Sequence, residues 1–173
     1  MIGTNVLMLL LRFLHIVLGA AWAGSTFLFV GFIGPSAAEV GPAAGPLMSA
    51  VVKKRKLPKI IVSLSMITVT VGWIMWIRNV TSFDGWETSR VGIGLTIGGV
   101  LATVAAITGV IGIRRNVEAM VDLGDRIAAS GAPPSPEDQQ RMAQIGAALE
   151  KAGKLDLALL FLAVTAMATA RYW

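Results

Sequence analysis

The charged residues of this chain are gathered into a few places. That leaves four long runs nearly free of them: Val6–Ile33, Ile60–Ile77, Val91–Ile113 and Leu157–Ala170. A helix needs about 20 apolar residues to cross roughly 30 Å of hydrocarbon. Within lipid, every backbone N–H and C=O must be satisfied inside the segment, so such a run has to be helical. The first and third runs are long enough alone, and the second and fourth draw on their flanks. Of the 173 residues, 14% are charged and 55% are apolar, against about 25% charged in a soluble domain. Mean hydropathy is +0.72. The expected fold is all-α: a polytopic membrane protein forming one domain over 1–173, a four-transmembrane-helix bundle with spans near 6–33, 60–78, 91–113 and 155–171.

The chain has no cysteine and a single histidine. There is therefore no disulfide, no thiolate metal site and no nucleophilic thiol, and a protein-only zinc or type 1 copper site is excluded. No Ser-His-Asp set, phosphate loop or intramembrane carboxylate pair is apparent, so no catalytic residue is assigned. The start, Met1-Ile-Gly-Thr-Asn, lacks a basic n-region and its apolar run is too long for an h-region, so no cleavable signal peptide is expected.

Basic residues set the expected orientation. The first connection carries Lys53, Lys54, Arg55, Lys56 and Lys59. The third carries Arg114, Arg115, Arg126, Arg141, Lys151 and Lys154. The opposite side has only Arg78, Arg90 and Arg171. By the positive-inside rule the first and third connections are cytoplasmic and both termini face outward. In a bacterium this is an inner-membrane protein with periplasmic termini. The positive charge lies beside the spans, where orientation accounts for it without nucleic acid.

Local signals place the connections. Gly34–Gly45 holds several prolines and glycines, and predicts an irregular stretch that ends the first helix at Gly34-Pro35. Met48–Lys56 reads as a short basic helix before Pro58. In the third connection Val117, Met120, Val121, Gly124 and Ile127 recur at helical spacing, so span three should continue to about Ser130. Gly131-Ala-Pro-Pro breaks it. Ser135-Pro136-Glu137-Asp138 starts a new helix, with Ser as N-cap, Pro at the first position and acids in the first turn. Met142, Ile145, Leu149 and Ala152 mark one face of that helix. Helices three and four should thus extend into a cytoplasmic helical hairpin over about 114–154.

Two stripes of small residues read as packing faces: Gly94, Gly98, Ala102 and Ala106 on span three, and His15, Gly19 and Ala23 on span one. Trp73, Trp76, Trp86, Tyr172 and Trp173 fall at the expected outer boundary as an aromatic belt. Asp156 falls at a membrane end, which leaves spans two to four without central ionisable residues. Ion-coupled transport is therefore not expected.

The candidate site lies in span one, where Arg12, His15, Gly19, Trp22 and Ala23 follow one stripe. His15 would sit about 13 Å from a boundary near Val6. An imidazole in an apolar bundle is a good axial ligand for haem iron. Arg12 could pair with a propionate, Gly19 and Ala23 leave room for a flat macrocycle, and Met66, Met75 or Met167 could supply a second ligand. The expected cofactor on this reading is haem b, with His15 as the metal ligand. On the competing reading His15 is a neutral packing residue bonded to a carbonyl or to Ser63, Ser65, Thr68 or Thr70 of span two.

Leu11-Arg12-Phe13-Leu14-His15-Ile16, Ala21-Trp22-Ala23-Gly24 and the Gly34-Pro35 that follows resemble the first helix of bacterial copper-resistance D (CopD)-like four-span membrane proteins. They are similar, more weakly, to the HemJ-type membrane protoporphyrinogen oxidases. Those enzymes also have four spans, a first-helix His regarded as a haem ligand, and a basic stretch before the second helix. The likeness covers mainly residues 11–35 and implies haem at His15. HemJ-type proteins carry a basic residue in the third helix region, whereas span three here has none between Arg90 and Arg114. Two expectations of function follow. One is a haem-binding membrane protein. The other is a structural or accessory subunit of a homo-oligomer or larger membrane complex, assembled through its Gly/Ala faces and its cytoplasmic hairpin.

Overall fold

The computed structural model describes residues 2–172, with side chains from Val6 onward. All elements among the described residues are helical. They are α1 (Ile2–Leu28), α2 (Gly34–Val40), α3 (Gly45–Ser49), α4 (Leu57–Ser82), α5 (Arg90–Thr108), α6 (Arg115–Ser130) and α7 (Pro136–Thr169). Four helical runs, Val6–Lys54, Leu57–Ser82, Arg90–Ser130 and Pro136–Tyr172, are long and apolar enough to cross a membrane. The end of the bundle that carries the lysine-rich turn and the α6/α7 hairpin is called here the basic end.

The first helix does not stop at Gly34-Pro35 as expected. A π-helical turn, Phe29–Ile33, joins α1 to α2, and a 3₁₀ turn, Gly41–Ala44, joins α2 to α3. Pro35, Pro42 and Pro46 each occupy a first-turn position, where a missing N–H costs nothing. The chain turns instead at Gly41, whose φ of 70° suits glycine. The expected basic helix before Pro58 is present as α3 and a second π turn, Ala50–Lys54.

The hairpin agrees with the sequence in detail. α5 runs through a π turn, Gly109–Arg114, directly into α6. Gly131 closes α6 in the left-handed conformation. Ser135 caps α7: its hydroxyl accepts from the Asp138 N–H at 3.1 Å, and the Asp138 carboxylate accepts from the Ser135 N–H at 3.2 Å. Val117 and Val121 of α6 and Ile145 of α7 are buried, as the spacing requires. Lys53 holds the end of the first run to α6 through Asp122 at 2.8 Å and Asp125 at 2.7 Å. The Lys53 hydrogen bond holds the Asp125 carboxyl below its ordinary range.

The helix pairs follow the small residues. A Cβ on Gly94 would meet Ala170 Cβ at 2.9 Å, one on Gly98 would meet Met167 Cγ at 2.5 Å, and one on Gly112 would meet Ala152 Cβ at 2.8 Å. The span-three stripe is therefore consumed within the chain, by α5 against α7. α1 lies along α4, and α4 meets α5 through Trp73 and Trp76, whose indoles donate to Thr103 at 3.0 Å and Thr96 at 2.8 Å. Trp76 also makes an edge contact with Trp86, while Tyr172 is exposed. Trp173, the last of the expected belt, lies outside the described residues. α1 approaches α7 only toward the basic end, where Trp22 joins Ala102, Ala105, Ala106, Leu160 and Ala163 in one core cluster and Val30 covers Gly153.

Small and polar residues share the core with a few large ones such as Trp22, Phe29 and Leu160, while many large apolar side chains stand outside. Ala105, Ala163, Thr26, Ser65, Thr68 and Asp156 are buried, whereas Leu9, Phe13, Ile16, Ile77, Ile107 and Phe161 are exposed.

Glycine substitutions separate close packing from open helix. Gly92→Ala would drive a methyl group into the Trp86 carbonyl oxygen, whereas Gly124→Ala meets nothing within 4 Å. Overpacking costs about 1–3 kcal/mol, while glycine to alanine in an open helix gains about 1 kcal/mol. Thermal unfolding in detergent is expected to show a lowered Tm for the first variant and an unchanged or raised Tm for the second.

Candidate functional site

His15 points at α4. Its Nδ1 lies 2.9 Å from the Thr68 carbonyl oxygen. A carbonyl only accepts, so Nδ1 carries the proton, and in the neutral ring Nε2 keeps its lone pair. The ring edge sits over Gly72, where a Cβ would come within 2.8 Å of Cε1 and 3.2 Å of Nδ1. Thr68 in turn fills the space over Gly19, with its methyl 3.3 Å from the position of a Gly19 Cβ. His15 and Gly19 of α1 thus interlock with Thr68 and Gly72 of α4, each pair separated by one helical turn. Of the possible partners read from the sequence, a backbone carbonyl of span two serves. The Thr68 hydroxyl itself has no partner among the described residues.

The other expected site residues are dispersed. Gly19 is beside His15, as just described. Arg12 is exposed on α1 one turn away, with no ion pair among the described residues. Met66 precedes Thr68 by two residues, about 200° around α4, and is 52% exposed on the side away from α1. It does not approach the His15 ring. Met167 packs against Gly98 on α5. Trp22 is 4% exposed and belongs to the bundle core. Toward an axial-ligand role, then, the chain offers one oriented imidazole, whose Nε2 makes no hydrogen bond among the described residues but lies 3.8 Å from the position of a Gly72 Cβ. Arg12 is on the same helix, and no second ligand comes from Met66. The flank of α1 near His15 rests on α4 alone, so a flat group there would have one face open to its surroundings.

A second group of polar residues lies nearer the basic end and was not singled out from the sequence. Asp156 is only 1% exposed, and its Oδ1 has no hydrogen-bond partner among the described residues. It lines a cavity of about 30 Å³ with Trp22, Thr26, Ser65 and Arg114. Thr26 is 3% exposed and its hydroxyl is also without a partner. The sequence places Asp156 near a membrane end; around the helix the structure turns it inward, because it shares a stripe with Gly153, Leu160 and Ala163, all buried against the bundle. That three-and-four spacing was the available signal. No group of three or more His, Cys, Asp or Glu positioned to hold a metal occurs among the described residues.

The chain matches no protein-family model, no curated protein and no solved structure.

The His15–Gly72 contact can be tested by a double-mutant cycle. Gly72→Ala should lower Tm by an amount equivalent to about 1–3 kcal/mol. In the His15→Ala background, where the ring is gone, the same change should cost little. Equal costs in both backgrounds would show that the imidazole does not occupy the space over Gly72.

Proposed function

We propose that the protein is a four-span bacterial inner-membrane protein that binds haem b at His15. The number of large apolar side chains left exposed on the long helices, among them Leu9, Phe13, Ile16, Ile77, Ile107 and Phe161, supports the membrane assignment. Exposed apolar surface on that scale is untenable in water but ordinary in lipid. The positive-inside rule then puts the lysine-rich turn and the α6/α7 hairpin in the cytoplasm and both termini in the periplasm. A tag fused after Trp173 is expected to react with impermeant reagents added outside spheroplasts. Protection of that tag until lysis would reverse the orientation.

The haem reading rests on one observation, the hydrogen bond from His15 Nδ1 to the Thr68 carbonyl. A metal-bound histidine characteristically donates its other ring N–H to a carbonyl or carboxylate, which fixes the tautomer and aims the ligating nitrogen. Here that partner is backbone, so the orientation follows from the α1–α4 packing itself. His15 would hold the iron, which supplies redox or gas-binding chemistry when the group is bound. Arg12, one turn away, would pair with a propionate. The resemblance of residues 11–35 to CopD-like and HemJ-type first helices points the same way. Protein purified from haem-replete cells should show a Soret band that His15→Ala abolishes and that Arg12→Ala weakens. A folded, colourless preparation would refute the reading.

A second reading is favoured by the elbow of α1, α2 and α3. This encloses an apolar concavity of about 370 Å³ lined by Phe32, Val40, Leu47 and Met48. On that reading the chain is an accessory subunit of a larger membrane complex. Its partner contacts are this elbow and the hairpin rather than the Gly/Ala stripes, which α7 and α4 already cover.

A further inference from the structure

The cavity beside Asp156 has three properties that together point to a ligand. It is small: a single water requires about 10–15 Å³ of such volume, so about 30 Å³ admits one or two oxygen-sized spheres and no organic molecule. Its polar groups lack partners within an otherwise largely apolar wall: Asp156 Oδ1 and the Thr26 hydroxyl are deeply buried and, among the described residues, unpartnered. The Ser65 hydroxyl donates to the Val62 carbonyl at 2.8 Å and keeps its acceptor capacity. It is also walled by two of the three π-helical turns, with Phe29 and Val30 from one and Gly109, Ile113 and Arg114 from another. Such turns are rare in helices and concentrate at functional sites.

Charge narrows the ligand. A buried carboxylate away from water is costly unless a positive charge accompanies it. Neither α1 nor α4 brings an ionisable side chain to this cavity. Arg114, at its partly exposed rim, is engaged with Glu118 at 3.1 Å. No ion pair joins it to Asp156 among the described residues. One carboxylate balances one positive charge, and three oxygens with room for a water suit a monovalent rather than a divalent ion.

We propose that Asp156, Thr26 and Ser65 form an internal site that reversibly takes up a single monovalent cation, a proton or Na⁺. The site is independent of His15 and does not require haem. Its rim at Arg114 opens toward the basic end, so exchange takes place with that side of the protein. The carboxylate carries the charge, the two hydroxyls complete the oxygen shell, and the π turns keep the helices far enough apart to leave the space.

The test is infrared spectroscopy of the purified full-length protein in detergent, titrated with pH in NaCl and in choline chloride. A protonated carboxylic acid has a C=O stretch distinct from other bands. Its assignment to Asp156 is made by its loss in Asp156→Asn. For a proton site the band should disappear as pH rises, with a midpoint indifferent to Na⁺. For a Na⁺ site the midpoint should move to lower pH as NaCl, but not choline chloride, is increased. Thr26→Val keeps the shape and removes one oxygen. It should shift the midpoint in either case, which keeps the test open if Asp156→Asn does not fold. A signal that stays constant across the pH range of the folded protein in both salts, or a midpoint unmoved by Thr26→Val, overturns the site.

Discussion

The fold depends on how closely α5 and α7 approach. With the bundle in lipid, as proposed, there is no hydrophobic drive between two helices, because the tails are as apolar as leucine. Association rests on van der Waals contact and on a few interhelical hydrogen bonds. Gly94 against Ala170, Gly98 against Met167 and Gly112 against Ala152 supply that contact along almost the whole pair. With those two helices locked, α4 is joined to α5 by indole N–H bonds to Thr96 and Thr103. α1 is then carried on α4. The burial of Asp156 follows from the same register, since the stripe that brings Ala163 to α5 brings Asp156 to the bundle interior two turns earlier.

α1 is held differently from the other long helices. Toward the basic end Trp22 and Phe29 enter the core clusters. Toward the N-terminus the helix rests on α4 alone, and His15 with Gly19 is its point of interlock. One polar contact there, from His15 Nδ1, ties α1 to a backbone carbonyl. The packing of the imidazole is set by this hydrogen bond together with the contact of the ring edge over Gly72.

Much of this was legible in the sequence, for identifiable reasons. The hairpin was readable because Ser135, Pro136 and Asp138 form a cap whose chemistry is local, and because Gly131 supplies the one left-handed residue the turn needs. The Gly94–Ala106 stripe was readable because its spacing is that of a helix face. What it packs against was not, since the choice between α7 and a second copy is a tertiary fact. The helical path through Pro35, Pro42 and Pro46 was missed because proline is judged a breaker by identity, whereas its effect depends on its position in the turn. Asp156 was judged by its distance along the chain from a span end rather than by its angle around the helix. Met66 was likewise chosen by depth, without the rotation that separates it from Thr68.

The π turns carry a consequence for inheritance. Each inserts one residue beyond the α-helical repeat, equivalent to about 100° of rotation, so the α5–α6 rod keeps two angular frames, one on either side of its insertion. Upstream of Gly109 the α5 frame faces its small residues to α7. Downstream, the α6 frame faces Val117 and Val121 into a separate cluster with Phe29 and Val52. Loss of a single codon within Gly109–Arg114 would merge the two frames into one continuous α-helix and turn the entire hairpin face away from its partners. Single-residue deletions in these turns should therefore be purged among descendants of this gene far more strictly than substitutions at the same positions.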